Sequence, residues 1–325
     1  MKKKIMVSLI ISILLVPLVM GSFAIAEEHN DIDVANESAY LMRLIKEAEV
    51  TGNQGLKEWA LEQGKKYGIY LGINGRKISV EASGEGIWIM PGKRDLDPHI
   101  FGTPQEPNHI NILPVDQRMV SEDGESFTTT KMPGPFSNNV VEIDNGYFDL
   151  YVEDNTILDN PNSNDKATLE AVFYGPNGEN EYKVVVNKIL PVGPEHTFFG
   201  GVGTDVYIHG DTNIGEPLLP KLWNYTAVWG IGDLYINDEM VDNSRLVHLM
   251  VGQRVRNENY ELGFDVAMPD ELEIHIVLPP TKIVDGMPTD SPVPTGVMLP
   301  NDQQQPFIHV NYYENINITG NRFLE

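Results

Sequence analysis

Ala167-Thr168-Leu169-Glu170-Ala171-Val172-Phe173, then Gly175-Pro176-Asn177-Gly178, then Glu181-Tyr182-Lys183-Val184-Val185-Val186-Asn187-Lys188-Ile189: two apolar-rich runs flank a tight turn. The first run alternates apolar and polar residues with period two, as a half-buried strand does. The second is rich in β-branched residues, and the Gly-Pro-Asn-Gly between them supplies the backbone freedom of a hairpin turn.

The same grammar extends outward in both directions. Tyr147–Val152 precedes the pair, and His196–Phe199, Asp205–His209, Leu222–Ile236, Arg245–Val251, Tyr260–Phe264, Glu271–Leu278 and Phe307–Tyr313 follow it. Asn237-Asp238 reads as a second tight turn. Upstream, Lys77–Glu81 and Gly86–Met90 are short strand candidates separated by glycines. Many short strands without intervening helical periodicity predict a mainly β protein, an antiparallel β-sandwich or barrel-like architecture.

Helical periodicity is confined to the region before Gly68. Leu41, Leu44, Ile45 and Ala48 recur at three- and four-residue steps, Gly52-Asn53 reads as a stop and a new cap, and Leu56, Trp59, Ala60 and Tyr67 follow. This predicts a short N-terminal helical hairpin. Residues 91–135 carry seven prolines and little periodicity, which predicts extended loop with one strand near His109–Leu113. Segment 279–306 carries seven more and includes Val297-Met298-Leu299, which reads as a lid, a binding loop or a linker.

The amino terminus has the three-part order of an export signal. Lys2, Lys3 and Lys4 precede an apolar run from Ile5 to about Val19, and Ala24-Ile25-Ala26 offers a small-residue cleavage site. The run contains Pro17 and is shorter than the about 20 apolar residues a bilayer span needs. The expected organisation is a signal peptide at 1–26, a helical segment at 27–68, a Pro-rich extended segment at 69–135 and a main antiparallel β domain at 136–325. The expected location is outside the cytoplasm: secreted, extracellular, periplasmic or cell-envelope.

Cleavage would remove three lysines and no acids, so 47 acidic residues would face 20 basic ones, a formal charge of −27. A field of that sign repels nucleic-acid phosphates and anionic lipid and favours cations as ligands. The chain has no cysteine, which excludes disulfides, thiolate metal sites and cysteine nucleophiles. No membrane span is expected in the mature chain. The Asn-x-Ser/Thr triplets at Asn36, Asn224 and Asn317 matter only in a host that glycosylates exported proteins.

Motifs for chemistry are sparse. Gly200, Gly201 and Gly203 precede a strand candidate, where a phosphate cradle requires a helix, and the Walker Lys-Ser/Thr pair is absent. No Gly-x-Ser-x-Gly occurs. His209 ends a strand candidate two residues before Asp211, and His248, His275 and His309 lie inside others, each between apolar neighbours. Alternation puts these rings on the face opposite those neighbours: if Ile274, Ile276, Ile308 and Val310 face the core, His275 and His309 face outward or into a second, polar cavity.

Imidazoles converging from several strands are how non-thiolate transition-metal sites are built, so His209, Asp211, His248 and His275 are the candidate metal ligands, for a divalent transition metal. Calcium is the poorer fit. The oxygen-rich loop Asp154–Asp165 fails the EF-hand register, because Pro161 occupies a ligand position and the required glycine is missing. Trp223, Tyr225 and Trp229 alternate, so they are expected to share one face, and Trp223 and Trp229 are the candidate ligand-binding residues if that face is exposed. The functional expectation is an exported, non-catalytic binding or surface-interaction protein for an extracellular or envelope ligand. The alternative is a His/Asp metal-binding protein or metal-dependent enzyme.

Overall fold

In a computed structural model, the described residues are 51–66, 76–110, 113–129, 136–155, 164–190, 201–210, 218–263 and 267–320, with Tyr40, Leu41, Leu44, Ile45 and Ala48. The expected signal segment, the His196–Phe199 strand, Asp211 and most of the Asp154–Asp165 loop lie outside them. The strands are β1 (Arg76–Ile89), β2 (Asp95–Leu96), β3 (Met119–Val120), β4 (Phe127–Thr128), β5 (Val140–Asp154), β6 (Lys166–Tyr174) and β7 (Glu181–Ile189). There follow β8 (Val202–Ile208), β9 (Leu222–Ile236), β10 (Glu239–Arg254), β11 (Met268–Leu278), β12 (Thr281–Val284), β13 (Met287–Asp290), β14 (Ile308–Tyr312) and β15 (Asn317–Thr319).

The main sheet closes on itself. Antiparallel pairings run β9–β10–β11–β14–β1–β5–β6–β7 and return to β9, so eight strands form a barrel. β8 extends it along the Leu222–Val228 half of β9, and the β12–β13 hairpin attaches beside β10. The expected mainly β, antiparallel, barrel-like architecture is what the chain adopts.

Local features of the strands set the turns and bends of this barrel. The β6–β7 turn has Gly178 at φ +69°, with its N–H donating to the Gly175 carbonyl at 2.9 Å. Asn237 and Asp238, at φ +51° and +65°, make the two-residue β9–β10 turn with Ile236 paired to Glu239, the left-handed pair that suits the twist of a hairpin. β1 and β5 bend where Gly84 faces Gly146, and the register shifts between Gly84 and Gly86. The Tyr312 ring lies where a side chain on Gly146 would begin. Tyr312 is fully buried and its hydroxyl donates to the Val172 carbonyl at 3.0 Å, so the ring cannot retreat. Gly146→Ala is therefore expected to destabilise by about 1–3 kcal/mol, an overpacking penalty, measured as a lower urea midpoint.

An eight-stranded barrel is just wide enough for side chains to fill, and this one is filled. Trp88, Phe148, Phe173, Tyr182 and Tyr312 occupy it with Ile78, Leu150, Leu169, Leu249, Ile276 and Ile308. Trp88 meets Phe173 edge-on at 5.8 Å between ring centroids.

Several expectations are corrected. The N-terminal helical hairpin is not evident: the bounded helix there is Gln54–Lys66, and much of the first limb lies outside the described residues. The expected boundary at 135/136 does not isolate the main domain, because β1 inserts between β14 and β5. Long-range pairing of this kind leaves no local signal. Residues 91–129 are not simple loop but carry a small sheet, β2–β4–β3, and a short helix Pro98–Phe101 around Leu96, Phe101, Leu113 and Phe127. No strand occurs among the described residues of 109–113 or 260–264.

Segment 279–306 is neither lid nor linker. It opens with the β12–β13 hairpin and then plugs one barrel end: Val293 joins the core, and Thr295 and Gln305 are fully buried. The Tyr182 hydroxyl donates to the Thr295 carbonyl at 2.6 Å, and Trp88 Nε1 donates to Gln305 Oε1 at 3.2 Å. Proline suits such a segment because it fixes an extended backbone without needing ladder partners. Among the described residues no helix is long and apolar enough to cross a membrane.

Candidate functional site

The barrel wall has two kinds of outer face. Along β6, exposed and buried residues alternate from Lys166 to Ala171, so its outer side meets water. On β9, by contrast, nine consecutive residues from Leu222 to Gly230 are buried. A second layer covers the wall there and erases the alternation that marks a solvated strand.

Under that layer lie the histidines. In β10, β11 and β14 the residues Leu249, Val251, Ile274, Ile276, Ile308 and Val310 point into the barrel core. Their neighbours point the other way, and cross-strand pairing sets them side by side: His248 against Val277, Met250 against His275, His275 against Asn311, Val277 against His309. Glu273 is two residues before His275, on the same face. Phe136, Leu219, Leu222, Val255 and Leu262 cover the assembly, leaving a small cavity that Arg256, Glu273, His209, His275, His309 and Asn311 also line. Its clear space is of the order of one water molecule.

Ring centroids run in a chain, His209 to His248 at 6.5 Å, His248 to His275 at 6.4 Å and His275 to His309 at 4.3 Å. His309 Nε2 lies 3.3 Å from His275 Nδ1. Phe136 stands edge-on to His309 at 5.4 Å and stacks over His275 at 6.3 Å. His209 sits at the end of β8 with φ +67°, in the left-handed region that few non-glycine residues enter, and it is buried.

The electrostatics are those of a dry polar pocket. His248 Nδ1 is 3.2 Å from the Val228 carbonyl, and a carbonyl can only accept, so Nδ1 carries the proton and Nε2 presents its lone pair. Burial, followed by the neighbouring His275, pushes the His248 pKa down to about 3. Glu273 is buried, with Oε1 3.9 Å from His275 Nδ1 and no hydrogen-bond partner at Oε2. Burial lowers the Arg256 pKa, partly offset by Tyr313 and Glu273. Tyr313 is raised well above the usual phenol range by burial and then by Glu273. The Asn311 amide donates to the Tyr313 hydroxyl at 3.3 Å, leaving buried Asn311 Oδ1 without a partner.

Of the candidate metal ligands, the structure gathers His209, His248 and His275 along one wall, and Asp211 lies outside the described residues. No three of the described His, Asp or Glu side chains stand as a ready-made metal cage. Glu273, Asn311 and Arg256 were not among the candidates. Glu273 and Asn311 share the alternation parity of His275 and His309 and were findable on that ground; Arg256 comes from a covering segment and carries no such sign.

The tryptophan expectation is corrected. Trp223 and Trp229 are 3% and 8% exposed, so they present no stacking surface. Nor do they form one strip. Trp223 and Tyr225 pack with Tyr207, Leu272 and Ile318, whereas Trp229 packs with Met250 and stacks on His248 at 4.5 Å. A register shift opposite Val251/Gly252 falls between the two groups and breaks the alternation. Asn224, one of the glycosylation triplets, is fully buried.

Comparison with known protein families, with curated proteins and with solved structures gave no match.

Proposed function

We propose that this is an exported, non-catalytic binding protein of the extracellular or envelope space, with its ligand seat in the covered histidine cavity. The observation that carries this reading is the pair of buried oxygens, Glu273 Oε2 and Asn311 Oδ1, that line the cavity without hydrogen-bond partners. Each such group costs about 1–3 kcal/mol, and a sequence shaped for stability alone would fill the space with apolar side chains. The filled barrel lumen offers no competing seat. A cavity of this size suits one ion or a very small ligand rather than an organic substrate with room to react. Lys2–Lys4, the apolar run and Ala24-Ile25-Ala26 support export.

Glu273→Gln tests the seat. If Glu273 is held for a ligand rather than for the fold, the ligand-free variant is expected to lose less than about 1 kcal/mol, because Oε2 makes no hydrogen bond that the substitution would break. A loss above about 1 kcal/mol would mean that the carboxylate holds the fold together, and the seat would have to be given up. Export is checked by the intact mass of the protein outside the cytoplasm, expected to begin at Glu27.

A further inference from the structure

We infer that the ligand is a first-row divalent transition-metal cation, bound between His275 and His309 and closed by Glu273 and Asn311. This rests on the ligand-seat reading above and names its occupant.

The two imidazole nitrogens set the seat. Two ligands each about 2.0–2.1 Å from a tetrahedral ion stand roughly 3.3–3.4 Å apart; His275 Nδ1 and His309 Nε2 already stand at that separation, hydrogen-bonded to each other at 3.3 Å, and would exchange that bond for the ion. Both rings are on adjacent, paired strands, His275 opposite Asn311 and His309 opposite Val277. Glu273 supplies the negative charge. Its Oε1, 3.9 Å from His275 Nδ1, must be drawn in slightly by the ion, and Oε2 has no competing hydrogen bond to break. Asn311, the cross-strand partner of His275, offers Oδ1 as a neutral fourth oxygen.

Two imidazoles with carboxylate and amide oxygens favour zinc, iron, cobalt or nickel over hard alkaline-earth ions, and the absence of cysteine removes the thiolates that select softer ions. His248 fixes its tautomer on a backbone carbonyl as metal-site histidines commonly do, yet its ring stands beyond His275 and serves as a neighbour rather than a ligand. Phe136 walls the pair from solvent.

The test uses the whole exported protein, stripped with chelator and purified without an affinity metal, titrated with Zn(II) by calorimetry and with Co(II) by visible absorption. One equivalent is expected to bind, with the intense visible bands of low-coordinate Co(II) and a rise in melting temperature. His309→Ala and Glu273→Gln are each expected to weaken binding at least about 10–100-fold, the loss seen when outer partners alone are removed. His99→Ala, at an exposed histidine elsewhere, is expected to change nothing. Binding that His309→Ala and Glu273→Gln leave intact would place the ion elsewhere and overturn the inference, as would no binding at all. No binding together with a Glu273→Gln protein as stable as the parent would leave the seat standing with a different occupant. No binding together with a destabilised Glu273→Gln protein would remove both.

Discussion

Trp88→Ala is expected to lower the unfolding free energy by about 3–5 kcal/mol, the usual range for truncating a buried aromatic, seen as a large fall in urea midpoint and melting temperature. Trp88 is fully buried on β1, in contact with Phe173 and with Tyr182 at 5.1 Å between centroids. It also carries a bond that truncation orphans, since Gln305 Oε1 accepts from its indole N–H inside the plug. The loss therefore combines a cavity with an unsatisfied buried amide. Domains of this kind hold about 5–15 kcal/mol in all, so the variant would sit near the edge of folding. Met298→Ala, in the same segment but 61% exposed, is expected to stay within about 0.5 kcal/mol. Equal losses in the two variants would mean that the plug does not close on Trp88 as described.

Acidification of the metal-free protein is expected to remove stability progressively between about pH 6.5 and pH 3. The native His248 pKa is pushed down to about 3 from its ordinary 6.5. In that window the unfolded chain binds a proton that the native protein refuses, so stability is full above pH 6.5 and falls as the pH is lowered. The slope approaches about 1.4 kcal/mol per pH unit for one such group, moderated because part of the His248 surface remains exposed. Below the native pKa both states are protonated and this contribution flattens. His248→Gln is expected to shrink the slope in urea midpoints measured from pH 7 to pH 4. An unchanged slope in that variant would assign the acid sensitivity to other groups.

Local patterning carried most of the fold. The β6–β7 hairpin, the Asn237-Asp238 turn and β9 over Leu222–Ile236 were legible because turn chemistry and two-residue periodicity are written into neighbouring residues. Alternation also puts His275 and His309 opposite Ile274, Ile276, Ile308 and Val310. Alternation does not hold across Trp223 and Trp229, where one extra residue in β9 interrupts it. Nor does local pattern describe 279–306, where proline density reads as loop although Val293, Thr295 and Gln305 are buried.

The sequence by itself determined the strands of the barrel, two of its hairpin turns, the acidic and thiol-free composition, and the side of β11 and β14 that His275 and His309 occupy. Only the tertiary structure decided that β1 closes the barrel between β14 and β5, that the outer wall of β9, β10, β11 and β14 is covered, and that Glu273 and Asn311 join His275 and His309. The physical reason is separation along the chain. A turn or an alternating strand is specified by residues within a few positions of one another, whereas closure and covering depend on pairings such as Trp88 with Val310 and Phe136 with His309, whose energy appears only when remote segments meet.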